Sequence, residues 1–300
     1  MKQTNLGLDL THRKTRKAQF LDEMERVVPW GALLALIAPH APRNAKGRTP
    51  FGIEVMLRIH YLQQWFGLSD GVMEEALFDV PLYRQFAGLG GMSRLPDRVS
   101  ILRFRHLLER HDLAPQMLQA VNATLAAQGL LLKEGTVVDA TLIAAPSSTK
   151  NSTGTRDPEM HQTQKGNQWH FAMKAHIGVD ADSGLVLGSE SEVFADAGYQ
   201  GVDKREDTQV IKAEWHVAMR PGKHRVLDKS TPMGAILDQL EQSKARIRAK
   251  VEHPLRVIKR QFGHMKVRYR GLAKNTAQLH TLFALSNLWM ARRHLLAVQG

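Results

Sequence analysis

The spacing of apolar residues changes near Gly129, and this change constrains the fold more than any other feature of the sequence. Before Gly129, apolar residues recur every three or four positions, which predicts a series of short helices. After it, short β-branched runs such as 136–143 are bounded by glycine and proline, which predicts buried strands. We therefore predict an α/β chain with a helical N-terminal domain at 1–130 and a sheet-containing domain at 131–300.

Helix start and stop signals divide the first domain. Thr49, followed by a proline, is expected to cap a helix that Gly67 ends, and Ser69 is expected to open the next one. Further helices are expected over 97–111 and 115–128. The tight turns between these segments predict a compact helical module.

Three arginines in the 97–111 segment, Arg103, Arg105 and Arg110, are expected to be exposed. A helical module with exposed cations fits DNA binding. A dimerisation or packing domain explains the same residues equally well, and both interpretations stay open.

The second domain combines strands with terminal helices. Besides 136–143, strands are expected over 169–179, 192–198 and 215–219. Helices are expected to dominate from Ala235 to the end, with an interruption at 264–274. Asn275 and Gln278 have the spacing of a capping box for the last helix.

The composition excludes several classes of protein. With no cysteine, the chain has no disulfide framework, thiolate metal site or cysteine nucleophile. The longest apolar stretch, 27–39, is too short to span a bilayer, and the N-terminal residues lack an apolar signal core. We therefore expect a soluble, unexported protein located in the cytoplasm.

The charge of the chain favours a polyanionic partner. The formal net charge is +12, and the segment 241–270 holds ten basic residues against two acidic ones. Such a cluster attracts the phosphate backbone of nucleic acid and releases its counterions. An anionic membrane is the weaker alternative, because no amphipathic anchor accompanies the cluster.

Two aspartates occupy equivalent positions in apolar strands. Asp139 lies in the run VVDATLI and Asp196 in the run VFADAGY. A buried carboxylate is costly unless it is paired or binds a metal, and two of them in similar contexts favour a site for hard cations such as Mg²⁺. For either aspartate taken alone, a hydrogen bond to a loop is the favoured explanation.

A third acid, Glu252, lies within the basic segment. On a continuous helix, Arg248, Glu252 and Lys259 would share one face. Ordinary ion pairing explains that arrangement. The alternative is a metal ligand placed beside a bound phosphate.

Histidines offer a rival metal site, because His161, His170 and His176 are close in sequence. Imidazole favours zinc and its neighbours over magnesium. We expect packing or DNA contact for these histidines.

Long motifs of the chain resemble the bacterial insertion-sequence transposases of the DDE type, and most closely the insertion sequence five family. The resemblance runs from about residue 15 to 290 and rests on PSSTKNSTGTRDPEMHQTQKGNQWHFAMKAHIGVDADSG, DAGYQG and KARIRAKVEHPLRVIKRQFG, together with the helical stretches TPFGIEVMLRIHYLQQWFGLSDGVMEEALFDV and LPDRVSILRFRHLLE. It implies a ribonuclease H-like catalytic domain that cleaves DNA and transfers strands. It also implies a homo-oligomer that is associated with the nucleoid and is not bound to a membrane.

Carried onto this sequence, the resemblance implies a catalytic triad of Asp139, Asp196 and Glu252. The triad is expected to bind two Mg²⁺ ions, with Mn²⁺ as the alternative ion. The partner is double-stranded DNA, both the terminal inverted repeats of the element and the target. The expected phosphate contacts are Arg248, Lys259, Arg256, Arg260, Lys165 and Lys174. Ala245 stands where the family's signature helix has a tyrosine.

The connection between the two aspartates is shorter than in the family. Only seven residues separate Gly184 from Glu192, whereas relatives carry a further strand and a helix there. A parallel crossover usually needs a dozen or more residues. If the strand at 169–179 runs antiparallel to the first strand, the chain can still place Asp196 beside Asp139. We therefore expect an internally deleted copy that lacks one strand and one helix, and it is either an active recombinase or a catalytically impaired DNA-binding remnant.

Overall fold

The structure is a computed structural model that describes most of the chain. The described residues are 14–42, 49–90, 94–131, 136–187 apart from 152 and 166, 192–195, 214–219 and 221–299.

Seven α-helices precede the sheet within the described residues. They are α1 (Arg16–Val27), α2 (Trp30–Ile37), α3 (Ile53–Phe66), α4 (Asp70–Asp79), α5 (Pro81–Phe86), α6 (Arg98–Arg110) and α7 (Leu113–Ala127). The helical N-terminal region that the apolar spacing predicts is thus confirmed.

Side-chain caps set three of these helix starts. Thr15, Ser69 and Asp97 each accept a hydrogen bond from a backbone amide of the first turn. Gly67 ends α3 with a φ of 66°, a left-handed conformation that glycine adopts readily. The predicted cap at Thr49 is wrong, because α3 starts after Gly52.

A five-stranded sheet follows, with its strands in the order β2-β3-β1-β4-β5. The strands are β1 (Thr136–Ala144), β2 (His161–Lys165), β3 (Gln168–Asp180), β4 (Glu192–Ala195) and β5 (Glu214–Val217). The central strand β1 pairs antiparallel with β3 and parallel with β4. The strand at 169–179 thus runs antiparallel to the first strand, which is the condition for placing Asp196 beside Asp139 with a short connection.

The sheet is followed by α8 (Pro221–Arg225), α9 (Pro232–Ala249), α10 (Glu252–Arg256), a π-helix (Val257–Gln261) and α11 (Leu272–Gln299). The long helix α11 returns to the N-terminal helices and packs against α1 and α7. Helices from both ends of the chain therefore share one apolar core with the inner face of the sheet.

Two buried asparagines fix the segment that follows β3. Asn122 of α7 and Asn287 of α11 both donate to the carbonyl oxygen of Val186, at 2.9 and 3.0 Å, and the Val186 amide donates to Oδ1 of Asn287 at 2.9 Å. Val186 also forms a bridge with Val179 of β3. The backbone polar groups of Val186 are therefore satisfied without a further strand.

The basic segment is not one continuous helix. The helix α9 ends at Ala249 and α10 begins at Glu252. The cause is Pro254, whose ring clashes with the carbonyl of the residue four positions earlier, Lys250. The expectation that Arg248, Glu252 and Lys259 share one face of a single α-helix is therefore wrong.

The last helix starts three residues before the predicted capping box. Asp157 Oδ2 accepts a hydrogen bond from the Gly271 amide at 2.7 Å, and the carboxylate of Glu159 accepts one from the Leu272 amide. These two acids from the loop before β2 stabilise the start of α11, where anions are favoured. Asn275 instead bonds to the backbone of the preceding turn.

Candidate active site

Asp139 lies in the middle of the central strand and is half-buried. Its strand neighbour on β3 is Ile177. Because side chains alternate along a strand, Asp139 shares the core-side face of β1 with Val137, Thr141 and Ile143. Its Oδ1 accepts a hydrogen bond from the Ala140 amide at 2.7 Å. The carboxylate therefore retains oxygen lone pairs for a further ligand.

Asp196 lies outside the described residues. The parallel strand β4 is described up to Ala195, and its Phe194 pairs with Val137 of β1. Asp139 and Asp196 follow this pair by two positions each.

Glu252 is the first residue of α10, and its side chain is exposed. The helix is anchored beneath it by the buried residues Val251, Leu255 and Ile258. Across the described part of the chain, no hydrogen bond or ion pair engages the carboxylate of Glu252. This acid is accordingly available to a ligand at the surface.

Lys259 connects the helical segment of Glu252 to the strand of Asp139. Its Nζ donates to Thr141 Oγ1 at 2.5 Å and to the carbonyl oxygen of Leu142 at 2.9 Å. A second tie lies further on, where the Val267 amide donates to the Ala144 carbonyl at 2.9 Å. The chain after Glu252 is thus bound to β1 at the residues that follow Asp139.

Lys174 and His176 lie on the opposite face of the sheet from Asp139. Lys174 pairs with Leu142 and His176 with Ala140, and both side chains are exposed. Partial burial lowers the pKa of His176 below its ordinary value, the charge of Lys174 lowers it further, and Asp139 acts in the opposite direction. The downward shift of its pKa favours the neutral form of His176.

The three histidines of the rival metal site are spread over two strands. His161 pairs with Ala172, while His170 pairs with Thr163. In the described portion of the structure, no group of three or more histidine, aspartate or glutamate side chains could hold a metal ion. Asp196, one of the three predicted catalytic acids, lies outside that portion.

Comparison with known families decides the class of this chain. The model of a family described as "Transposase DDE domain" matches residues 131–191 and 189–288, more than half of the chain. The chain belongs to the DDE transposase family. A second family, described as "Transposase domain (DUF772)", matches residues 8–107. The protein is therefore a transposase, an enzyme of the polynucleotidyl transferase and nuclease class. No solved structure matches it.

The cations of the transposase's basic segment divide into two groups. Several bind the protein itself: Lys244 pairs with Glu241, Lys250 donates to the carbonyl of Asp182, and Arg270 donates to Thr153 and Thr155. Arg256 and Arg260 are exposed, and no bond to either is found among the described residues. Only part of the charge in this segment is therefore available to DNA.

Two of the remaining candidate phosphate contacts lie on other elements. Lys165 ends β2 and Arg248 lies in the last turns of α9. Their roles, like that of Lys174, stay predictions.

One of the three N-terminal arginines departs from expectation. Arg105 is buried, with its guanidinium bonded to Asp70 at 3.2 Å and to Glu109 at 2.9 Å and placed over the ring of Tyr269. The prediction that it is exposed is wrong, because it belongs to the core-facing side of α6. Arg103 and Arg110 are exposed as expected.

Thr141 is a site residue that the sequence analysis did not identify. The signal was its place two residues after Asp139, which puts both side chains on one face of a strand.

The described helices of the transposase include none that is long and apolar enough to cross a membrane.

Proposed function

We propose that this transposase cleaves DNA at the ends of an insertion sequence and transfers the cut strand to a target, with Asp139, Asp196 and Glu252 as its catalytic acids. The observation that carries the proposal is the tie from Lys259 to Thr141 and Leu142. This tie brings the segment of Glu252 onto the strand of Asp139.

The strand register supports the second aspartate. Val137 and Phe194 are partners in parallel strands, and Asp139 and Asp196 follow them at the same interval. Parallel strands that keep one register bring such residues to one end of the sheet.

A central strand flanked by one antiparallel and one parallel neighbour also supports the ribonuclease H-like fold. We take 1–130 and 131–300 as the two domains.

The donor atoms fit a hard divalent cation. Asp139 has a free oxygen, and Glu252 has no described partner. Carboxylate oxygens are the ligands that Mg²⁺ and Mn²⁺ prefer, and we propose Mg²⁺. A bound pair of such ions activates the attacking oxygen and stabilises the leaving oxygen in an in-line displacement at phosphorus. Asp139, Asp196 and Glu252 would hold the ions.

The exposed cations support binding of double-stranded DNA. Arg256 and Arg260 follow Glu252 by one and two helical turns and are exposed. They would hold the phosphate backbone beside the acids, which positions the DNA without reading its sequence. Hydrolysis at an element end would free a 3′-hydroxyl, which would then attack a phosphodiester bond of the target DNA. We place this chemistry in a homo-oligomer on the nucleoid, within the insertion sequence five family.

A second candidate function is that of a catalytically impaired, DNA-binding remnant. The observation in its favour is the match of the family model in two segments that meet at 189–191. Val186 lies three strand spacings from β4, which is about 14 Å. The five steps from Leu187 to Glu192 reach at most about 17 Å. The connection is long enough to reach β4, but it has too few residues to include the crossover helix that a complete copy would have.

Exposed apolar residues on α9 also favour the shortened copy. Met233, Ile236 and Leu240 lie on one face of this helix and are 66%, 59% and 49% exposed. A large apolar stripe at the surface favours association or marks a contact that is missing. Restoring a strand and a helix after Val186 is expected to raise solubility and cleavage activity.

Cleavage of end-containing DNA separates the two candidates. The substrate is a duplex that carries the short inverted repeats flanking the element, incubated with the protein and with Mg²⁺ or EDTA. Nicking at the repeat ends that requires Mg²⁺ supports the recombinase. Tight binding without nicking, while the version with the restored segment nicks the same DNA, supports the remnant.

A further inference from the structure

The hairpin formed by β2 and β3 extends beyond the rest of the sheet. The contact of β1 with β3 ends where the Ala145 amide donates to the Phe171 carbonyl at 2.9 Å. The pairing between β2 and β3 goes on to Lys165 and Gln168. The segment from Phe171 to Gln168 therefore projects about 10 Å past the end of β1, at about 3.3 Å per residue.

Both faces of this projection are open to solvent. Residues that lie opposite each other in paired strands share a face, so Gln162, Gln164 and Trp169 lie on one face, which we call the reading face. Gln168 and His170 are exposed on alternate faces, with Gln168 opposite to the reading face. Trp169 is 67% exposed. Side chains placed in this way contribute little to the core and are free to contact a partner.

The residue types of the hairpin suit nucleic acid. Residues 161–170 include no acidic residue and four amide side chains. A glutamine can form a bidentate pair with N6 and N7 of adenine in the major groove, and an apolar group can contact the methyl group of thymine. Within the described residues, no hydrogen bond engages the amide groups of Gln162 and Gln164. The reading face therefore offers free donors and acceptors beside an exposed aromatic ring.

We propose that the β2–β3 hairpin inserts into the major groove of DNA at the element end and reads A·T pairs there with Gln162, Gln164 and Trp169. The proposal rests on the function inferred above, which makes the end of an insertion sequence the bound DNA. The major groove is about 12 Å wide and about 8.5 Å deep, and it admits a two-stranded β-ribbon. The projection of about 10 Å is sufficient to reach the base edges.

A cation at the base of the hairpin supports this orientation. Arg156 is exposed, and its guanidinium lies 5.6 Å from the centre of the Phe171 ring, on the reading face. Its Nε donates to the Ser147 carbonyl at 2.9 Å, while no hydrogen bond to its two terminal nitrogens is found among the described residues. The neighbouring acids, Asp157 and Glu159, accept from amides at the start of α11. Arg156 is therefore placed to hold a phosphate that borders the groove.

The test measures DNA binding by full-length protein with Gln162→Ala, Gln164→Ala or Trp169→Ala. The matched control is Gln168→Ala, which removes the same type of side chain from the opposite face of the same hairpin. Each protein is titrated, over a range of salt concentrations, with a duplex that carries the terminal inverted repeat and with a duplex of scrambled sequence. Further repeat duplexes carry one uracil for thymine, which removes a methyl group, or one 7-deaza-adenine for adenine, which removes N7.

We expect each reading-face variant to reduce the preference for the repeat duplex over the scrambled one by about 5- to 100-fold, the range for one base contact. The salt slope and the urea midpoint should stay at the wild-type values, because these side chains are exposed and contact bases. Gln168→Ala should behave like the wild type. Arg156→Gln should weaken both duplexes alike and reduce the salt slope by about 0.9, the value for one phosphate contact.

The modified bases locate the contacts. A 7-deaza-adenine that weakens binding by the wild type should cause no further loss in the variant that lacks the glutamine at that base. A uracil should have the same relation to Trp169→Ala.

Three results would overturn the proposal. Equal losses on both duplexes with a reduced salt slope would make the hairpin a phosphate contact. Unchanged DNA binding in the reading-face variants, with or without a change in oligomeric state, would exclude base reading. A wild type that binds both duplexes equally would leave no sequence preference for the hairpin to provide.

Failure of the proposed function has a different signature, since the wild type would then prefer the repeat duplex without nicking it in Mg²⁺. The loss of preference in the variants still decides the role of the hairpin in that case. Gln162→Ala and Gln164→Ala provide the decision if Trp169→Ala does not fold.

Discussion

Replacing Asn287 with alanine should destabilise the transposase far more than replacing Asn122. Both side chains donate to the Val186 carbonyl, but only Asn287 also accepts from the Val186 amide. Asn287 Oδ1 is the acceptor for the Val186 amide, and Asn287 Nδ2 donates to Asn122 Oδ1 at 2.8 Å. Asn287→Ala therefore leaves two buried polar groups without a partner.

The magnitude follows from these lost partners. An unsatisfied buried group costs about 1–3 kcal/mol, so Asn287→Ala should cost about 2–6 kcal/mol. After Asn122→Ala, the Val186 carbonyl still accepts from Asn287 Nδ2, and only the N–H of Asn287 that bonded to Asn122 Oδ1 is left without an acceptor. One buried donor is therefore unsatisfied where Asn287→Ala leaves two groups unsatisfied, and the cost should be about 1–3 kcal/mol. Both positions are helical, so the effect of alanine on helix propensity is similar in the two variants.

Urea unfolding followed by circular dichroism measures the difference. We expect both midpoints to fall, with the larger shift for Asn287→Ala and an unchanged slope against urea. An Asn122→Ala variant as unstable as Asn287→Ala would refute the assignment. A loss below about 1 kcal/mol for Asn287→Ala would refute it as well, because the segment after β3 would then not depend on this contact.

Three further perturbations test separate parts of the fold by urea unfolding. Asp157→Ala removes the acceptor at the start of α11 and should cost about 1 kcal/mol, whereas Asp157→Asn should cost less. Gly67→Ala should cost about 1–2 kcal/mol or more, because φ is 66° and the new Cβ would lie 2.8 Å from Arg268 Nη2. Burial lowers the pKa of His60 and of His264 to about 4. Their contribution to stability is complete above about pH 6.5 and is lost as the pH falls towards 4, so replacing either with glutamine should flatten the fall in stability over that range.

The sequence predicts four of the five described strands because their signals are local, whereas β2 (His161–Lys165) was not expected. The β-branched run around Asp139 and the alternating run at 169–179 have no helical alternative of adequate length. Their antiparallel pairing entered the sequence analysis only as the condition under which the short connection after Gly184 can place Asp196 beside Asp139. The break of the basic helix was also encoded locally, since Pro254 disrupts the turn that contains Lys250.

Other features depend on residues that are distant in sequence. The start of α11 is set by Asp157 and Glu159, more than a hundred residues earlier, so a capping box at Asn275 looked correct in the local sequence. The contact between Lys259 and Thr141 is of the same kind. Sequence composition counts the cations of a segment, but only packing determines which of them face solvent.

Cleavage by triad variants tests the central claim most directly. Asp139→Asn, Asp196→Asn and Glu252→Gln preserve shape while removing the charge that holds a divalent cation. The variants are made in the version of the transposase that nicks end-containing duplex DNA with Mg²⁺, either the present chain or the one with the restored segment. Each variant should lose cleavage because a metal ligand is removed. Each should keep the wild-type affinity for DNA and the wild-type salt slope, because affinity comes from phosphate contacts. Metal-dependent nicking at the wild-type rate by Glu252→Gln would show that the helix tied to β1 by Lys259 does not carry a catalytic acid.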